Sequence, residues 1–208
     1  MPRRTDDFRG LAQASRMRLL AEVQRHPGLL LRELAERTQL HENTVRDHLV
    51  VLEREGLVSR QTNHRGTRGR PPATYHPVAD ATTNPEAHKR MLRAQQHGDL
   101  LRRISPDAGR SDLGEDALHQ LDVLYEHLDD AGLQPDIDED SLSVDVVPCP
   151  YYQLLDDDRQ LVCTVHEQLI KDVLGQIPGP MRLAVLQPFT APDTCRVVLQ
   201  ASGAVRSE

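Results

Sequence analysis

Between Ser15 and Glu55 three short amphipathic patterns follow one another with only brief breaks, and this succession constrains the fold more than anything else in the chain. In the first, Met17, Leu20 and Val23 recur at helical spacing until His26-Pro27-Gly28 stops them. In the second, Leu31, Leu34 and Ala35 form an apolar stripe along LLLRELAERTQ. In the third, Val45, Leu49 and Leu52 recur at i, i+4 and i+7 until Gly56 ends the helix. The connection from Arg37 through Leu40 to Glu42 has the length of the turn in a helix-turn-helix. Stepping round the third helix from Val45 puts Arg46 at about 100°, Asn43 at about 160° and Asp47 at about 200°, with Thr44 on the flank. All four are turned away from the core side, in the first turns of the helix.

An exposed face of this kind is, alone, an ordinary solvated surface; the next segment of the chain changes its meaning. LVSRQTN reads as a short strand and TYHPV as its partner, with NHRGTRGRPPA between them. That loop holds Arg65, Arg68 and Arg70 without one acid, spaced by Gly66 and Gly69 and closed by Pro71-Pro72. Glycines permit close approach to a backbone, and arginines supply charge for phosphates or a narrow minor groove. A cationic hairpin directly after a helix that presents Asn43, Thr44, Arg46 and Asp47 is a wing beside a recognition helix. In that arrangement Arg pairs with guanine and Asn with adenine in the major groove, so the expected partner is a double-stranded DNA operator. Charge agrees. Residues 1–79 carry 14 Arg against 9 acids, whereas residues 105–208 carry 6 basic residues against 20 acids. The net charge of −7 conceals a basic head and an acidic remainder.

The rest of the chain divides at Pro, Gly and Ser clusters. PEAHKRMLRAQQHGDLLRRI starts with Pro and an acid and carries Met91, Leu92, Leu100, Leu101 and Ile104 as an interrupted apolar stripe, either a helix that pairs with its copy, the reading favoured by the family resemblance given below, or a plain helix packed on its own chain. The expected organisation is a winged helix-turn-helix over residues 1–80, a linker and dimerisation helix over 81–110, and a cysteine-containing domain over 111–208. In the last, Leu118, Leu121, Leu124, Tyr125 and Leu128 form a helix closed by Gly132, and Leu142, Val144 and Val146 alternate as a strand. LVCTVHEQLIKDVLG forms a second helix, and MRLAVLQPF and CRVVLQA two further strands. Helix, strand, helix, strand, strand is an α+β arrangement with a small antiparallel sheet.

All three cysteines lie in this domain. Cys163, near the expected start of its helix, and His166 are i and i+3 on one helical face, and Cys149 and Cys195 sit at strand boundaries. Three thiolates and one imidazole are a complete set of soft and borderline donors for a metal, although the spacing is not that of a zinc finger. The plainer reading is that buried Cys serves as a small hydrophobe. Three cysteines are too few and too odd in number for a disulfide framework. MPRRTDDF is unlike a signal peptide, and no run approaches the roughly 18 apolar residues of a membrane span, so the expected location is cytoplasmic.

LRELAERTQLHENTVRDHLVVLEREGLVSR followed by GTRGRPPATYHP resembles the winged-helix domain of ArsR-like bacterial transcriptional regulators. One departure is His41, where that family often has a Ser or Thr cap; a missing cap costs about 1 kcal/mol. CPYYQLLDDDRQLVCTVHEQLIKDVLG and LQPFTAPDTCRVVL resemble the C-terminal domain of the same regulators, including the repressors of iron–sulfur assembly operons. The resemblance implies an iron–sulfur cluster on Cys149, Cys163 and Cys195. Those repressors commonly carry a further Cys between the positions of Cys163 and Cys195, which this chain lacks, so His166 or an external ligand would complete the site. The expected function is a homodimeric DNA-binding regulator whose cluster or redox state sets operator affinity through the segment from Met91 to Ile104. The alternatives are a structural zinc site or thiol switch on the same cysteines and, from another class, a redox enzyme with an appended winged helix. No Ser-His-Asp, paired-carboxylate or cofactor-phosphate pattern supports an enzyme.

Overall fold

The N-terminal unit runs α1 (Ala14–Arg25), β1 (Leu29–Leu30), α2 (Leu31–Thr38), α3 (Glu42–Arg54), β2 (Val58–Thr62) and β3 (Ala73–Pro77). A computed structural model describes residues 11, 13–62, 72–104, 113–147, 152–191 and 194–202. The LLL run is not wholly helical, contrary to its periodicity. Gly28, at φ +93°, turns the chain and donates its N–H to the Tyr75 carbonyl at 2.8 Å, so Leu29 and Leu30 pair with Tyr75 and Thr74 of β3. The helix begins one residue later, where the Glu33 carboxylate accepts the Leu30 N–H at 2.7 Å. The resulting antiparallel sheet has the order β1-β3-β2.

A 3₁₀ turn at Ala81–Thr83 leads to α4 (Pro85–Ile104). Asn84 caps it: its Oδ1 accepts from the N–H groups of Glu86 and Ala87 at 2.8 and 3.1 Å. The same side chain donates through Nδ2 to the carbonyls of Glu53 and Val58 at 2.8 and 3.0 Å. Arg90 adds a second tie, donating to the Glu55 carbonyl at 2.6 Å and to Asp130 at 3.2 Å. The start of α4 is thereby fixed to the end of α3. Gly56 (φ +68°) makes room for this approach, because a Cβ there would lie 3.0 Å from the Ala87 nitrogen.

The apolar residues of α4 do not form one stripe. Ala87, Arg90, Ala94 and Gly98 are buried and Met91 is half-buried, while Leu92, Leu100, Leu101 and Ile104 remain 42, 53, 47 and 67% exposed. Small side chains let α4 lie close against α5 (Glu115–Asp130), and the larger ones are left outside.

The remaining elements are β4 (Gln134–Asp138), β5 (Ser143–Val147), α6 (Tyr152–Gly175), β6 (Met181–Ala191) and β7 (Thr194–Ala201). They build an α+β unit with an antiparallel sheet of order β4-β5-β7-β6. It has one strand more than its sequence pattern suggests: β4, reading QPDID, is a polar edge strand without an apolar run to announce it. Leu142 belongs to the preceding turn, at φ +51°, and not to the strand. α6 starts at Tyr152, so Cys163 lies in the middle of a 24-residue helix instead of near its start. Buried Gln120 joins α5 to both neighbours, donating to the Leu174 carbonyl at 2.6 Å and accepting the Met181 N–H at 2.7 Å.

One apolar cluster passes through Leu20 and Leu49, on through Leu124, Val165 and Leu169, to Val144 and Val197. The two units therefore share a core, with α1 against α6 at its centre. Gln24 of α1 donates to the Val165 carbonyl at 3.4 Å, and Gln176, beyond α6, donates to the Val78 carbonyl at 3.1 Å.

Asp172 is buried on α6 and accepts a hydrogen bond from Gln168 at 2.9 Å. Burial pushes its pKa up from 3.8 to about 6. The folded chain thus holds this proton more tightly than the unfolded chain, and the associated stability is lost as pH rises from 3.8 through about 6. Asp172→Asn should raise stability by about 1–3 kcal/mol at pH 8 and flatten its pH dependence across that window. Denaturant unfolding at pH 5 and pH 8 measures both effects, and an unchanged pH profile would contradict them.

Candidate nucleic-acid interface

α3 owes its position to three buried apolar residues, Val45, Leu49 and Leu52, and to His48, which is 7% exposed and bonded to Ser15 Oγ of α1 at 2.9 Å. Burial lowers the His48 pKa, and the nearby Arg16 charge lowers it further. The turn before α3 places Gln39 in the left-handed region at φ 55°, and Leu40 packs against the core. His41 is not a missing cap: its Nδ1 accepts the Asn43 N–H at 3.2 Å, so the imidazole takes the place of a Ser or Thr hydroxyl.

With the buried side of α3 fixed, Asn43, Arg46 and Asp47 are exposed and Thr44 is half-buried on the flank. The guanidinium of Arg46 donates to Asn43 Oδ1 at 2.7 Å. The two side chains suited to reading bases are therefore held together at the helix start. Arg60 of β2, exposed and paired in register with the buried Tyr75, belongs to the same neighbourhood, since it and Arg46 both act on the Tyr75 hydroxyl. The Tyr75 hydroxyl has its pKa raised by burial, against the opposing fields of Arg60 and Arg46. Sequence reading passes over Arg60; its signal is an arginine in the strand that directly follows α3. Arg65, Arg68 and Arg70 lie outside the described residues, but the paired ends Thr62 and Ala73 fix where that loop leaves the sheet.

The cysteine region lies on the other unit. Cys163 and Cys195 are half-buried, and Cys149 lies outside the described residues. Cys195 is opposite Val146 of β5. His166 follows Cys163 by one helical turn, and burial pushes its pKa down to about 4, leaving a neutral imidazole at neutral pH. His127 of α5, another residue that sequence reading does not single out, is also held well below its usual range, by burial first and then by the charge of Arg90. Among the described residues, no group of three or more His, Cys, Asp or Glu side chains is gathered to hold a metal. Cys163, His166 and Cys195 are thus not assembled into a site by themselves.

Three helices, a two-residue strand and a paired β-hairpin base, with the exposed start of the third helix beside an arginine-bearing strand, define a helix-turn-helix domain of winged form. Residues 11–61, about a quarter of the chain, match the helix-turn-helix domain family, and this domain marks the chain as a DNA-binding regulator. No match was found among curated proteins or among solved structures. Among the described residues no helix is long and apolar enough to cross a membrane.

Replacing Arg46 should separate reading from binding. If Arg46 reads a base, Arg46→Ala should cost about 1–3 kcal/mol of discrimination and relax specificity at one position per half-site, with an unchanged melting temperature. Selection of bound sequences from a random DNA pool measures the change. A variant that selects the parent's site with equal stringency excludes Arg46 from base reading.

Proposed function

We propose that the chain is a homodimeric transcriptional regulator that binds a double-stranded operator and changes its affinity with the state of an iron–sulfur cluster. The observation that carries the DNA-binding part is the exposed Asn43–Arg46 pair at the start of α3, inside a matched helix-turn-helix domain. In this reading Arg65, Arg68 and Arg70 of the wing neutralise phosphates. The outward Leu92, Leu100 and Ile104 of α4 meet the same residues of a second copy, so that two half-sites are read together.

The proposed cluster ligands are Cys149, Cys163 and Cys195, with His166 fourth. The donor chemistry fits such a centre: thiols suit iron, and the His166 imidazole needs no deprotonation at neutral pH. A bound cluster would supply a redox-labile centre. The chain's own contribution is the path outward. Cys163 and His166 flank Val165, whose carbonyl accepts from Gln24 of α1, and α6 packs along that helix. A change in the position of α6 thus acts on the winged helix directly, by a shorter route than the α4 segment expected from sequence.

Anaerobic purification of the full chain, followed by an absorption spectrum and iron, sulfide and zinc analysis, tests the sensing part, and operator titration tests the binding part. A brown protein that bleaches on oxidation with a change in operator affinity is expected. Serine at any one of the three cysteines should give colourless protein, and His166→Ala a shifted spectrum. Full operator affinity in a protein with zinc, or with no metal, would remove the cluster and leave the regulator.

A further inference from the structure

Where α4 crosses α5, Gly98 faces the Asp122 carboxylate, and beside this contact a cavity of about 190 Å³ is left between the two helices and the β4–β5 hairpin. Ala94, Leu101, Leu118, Leu121 and Ile137 supply its apolar wall, beside an ionisable rim to which His97 and Arg102 also belong. Ion pairs hold the helices together on either side of it. Arg102 donates to Asp122 through both terminal nitrogens at 2.9 and 2.7 Å, and Arg90 and Arg93 hold Asp130 at 3.2 and 2.9 Å. The gap therefore lies beside a helix crossing that these ion pairs hold together.

The charges at the cavity are not balanced. Asp122 is neutralised by Arg102, and Glu126 by Arg93. Glu139 is exposed and lines the cavity, and among the described residues no ion pair reaches it. Its position is pinned, because Asp138 Oδ1 accepts the backbone N–H groups of Asp140 and Ser141 at 3.0 and 3.1 Å and fixes the turn. The volume falls below the roughly 300–1,000 Å³ of sites for drug-sized molecules.

We propose that this cavity binds a small organic monocation, its apolar body between α4 and α5 and its ammonium group against Glu139. The site is separate from the cysteines and stands whether or not they hold a metal. It also lies on the helix that Asn84 and Arg90 fix to the end of α3, so an occupant that spreads α4 from α5 strains the tie to the recognition helix.

Titration calorimetry and amide shift mapping on the full chain, with 2-phenylethylamine and hexylamine as probes, test the proposal. 2-Phenylethanol and 3-phenylpropionate serve as the neutral and anionic counterparts. The amines should bind at least about tenfold more tightly than the alcohol, as expected for a charge-assisted contact. The carboxylate should bind least, and the shifts should centre on Ala94, Leu101, Tyr125 and Glu139. Glu139→Gln should erase the preference for amine over alcohol while keeping weak binding of both. Leu118→Trp, which fills the cavity from its half-exposed side, should abolish binding of every probe. The proposal is overturned if neither amine binds, if amine and alcohol bind alike, or if the preference survives Glu139→Gln.

Discussion

Arg90→Met should unfold at markedly lower denaturant than the parent, with a loss of about 3–5 kcal/mol, although the methionine keeps most of the buried stem. The guanidinium is 7% exposed and serves two elements at once, the carbonyl of Glu55 at the end of α3 and the carboxylate of Asp130 at the end of α5. Burial works against its charge, and Asp130 offsets part of that cost. Without it, the Glu55 carbonyl loses this buried donor, while Asp130 keeps Arg93 as its partner among the described residues. The neighbouring Arg93 is 58% exposed, and Arg93→Met should cost no more than about 1 kcal/mol. Urea unfolding of the two variants side by side decides the matter; equal stability of both with the parent would show that Arg90 is not the tie between α3, α4 and α5.

The second large effect concerns DNA. Replacing Arg65, Arg68 and Arg70 together by Ala should lower the slope of log affinity against log salt by about 3, one for each phosphate that is no longer neutralised. Near physiological salt the affinity should fall by more than about tenfold for operator and unrelated duplex alike, because phosphates carry no sequence information. The ratio between the two should stay constant. Arg46→Ala has the opposite signature, a changed ratio with a nearly constant salt slope. Anisotropy titrations over a salt series distinguish the two, and an unchanged slope in the triple variant would mean that the wing does not touch DNA.

Both variants probe features that differ in how openly the sequence displays them. The outward position of Asn43, Arg46 and Asp47 follows from the 3.6-residue period set by Val45, Leu49 and Leu52, and the structure bears it out. The boundaries of α4 and the pairing of β2 with β3 are equally legible, since Pro85 and the loop between the strands mark them. Local pattern fails where a partner elsewhere decides. Leu29 and Leu30 form a strand because β3 is beside them, and β4 is a strand because β5 offers it an edge, although neither segment has a strand's alternation of large apolar residues. Arg90 looks like any helix-surface arginine until Glu55 and Asp130 close round it. The cysteine positions suffer most from this limit, because their separation in space depends on how α6 and β7 pack, which no spacing in the chain encodes.

The shared core has a consequence for how such a protein is put together. α1 buries Met17, Leu19, Leu20, Ala21 and Val23, which occupy more than half of its circumference, and part of that surface faces α6. A DNA-binding head joined to its sensor by a loose tether can be recombined with other sensors by simple fusion of coding segments. This one cannot be exchanged so freely. Any new C-terminal partner must bring its own helix to cover α1 and a donor for the Val78 carbonyl, which restricts the pool of compatible domains and makes the two halves evolve as a pair.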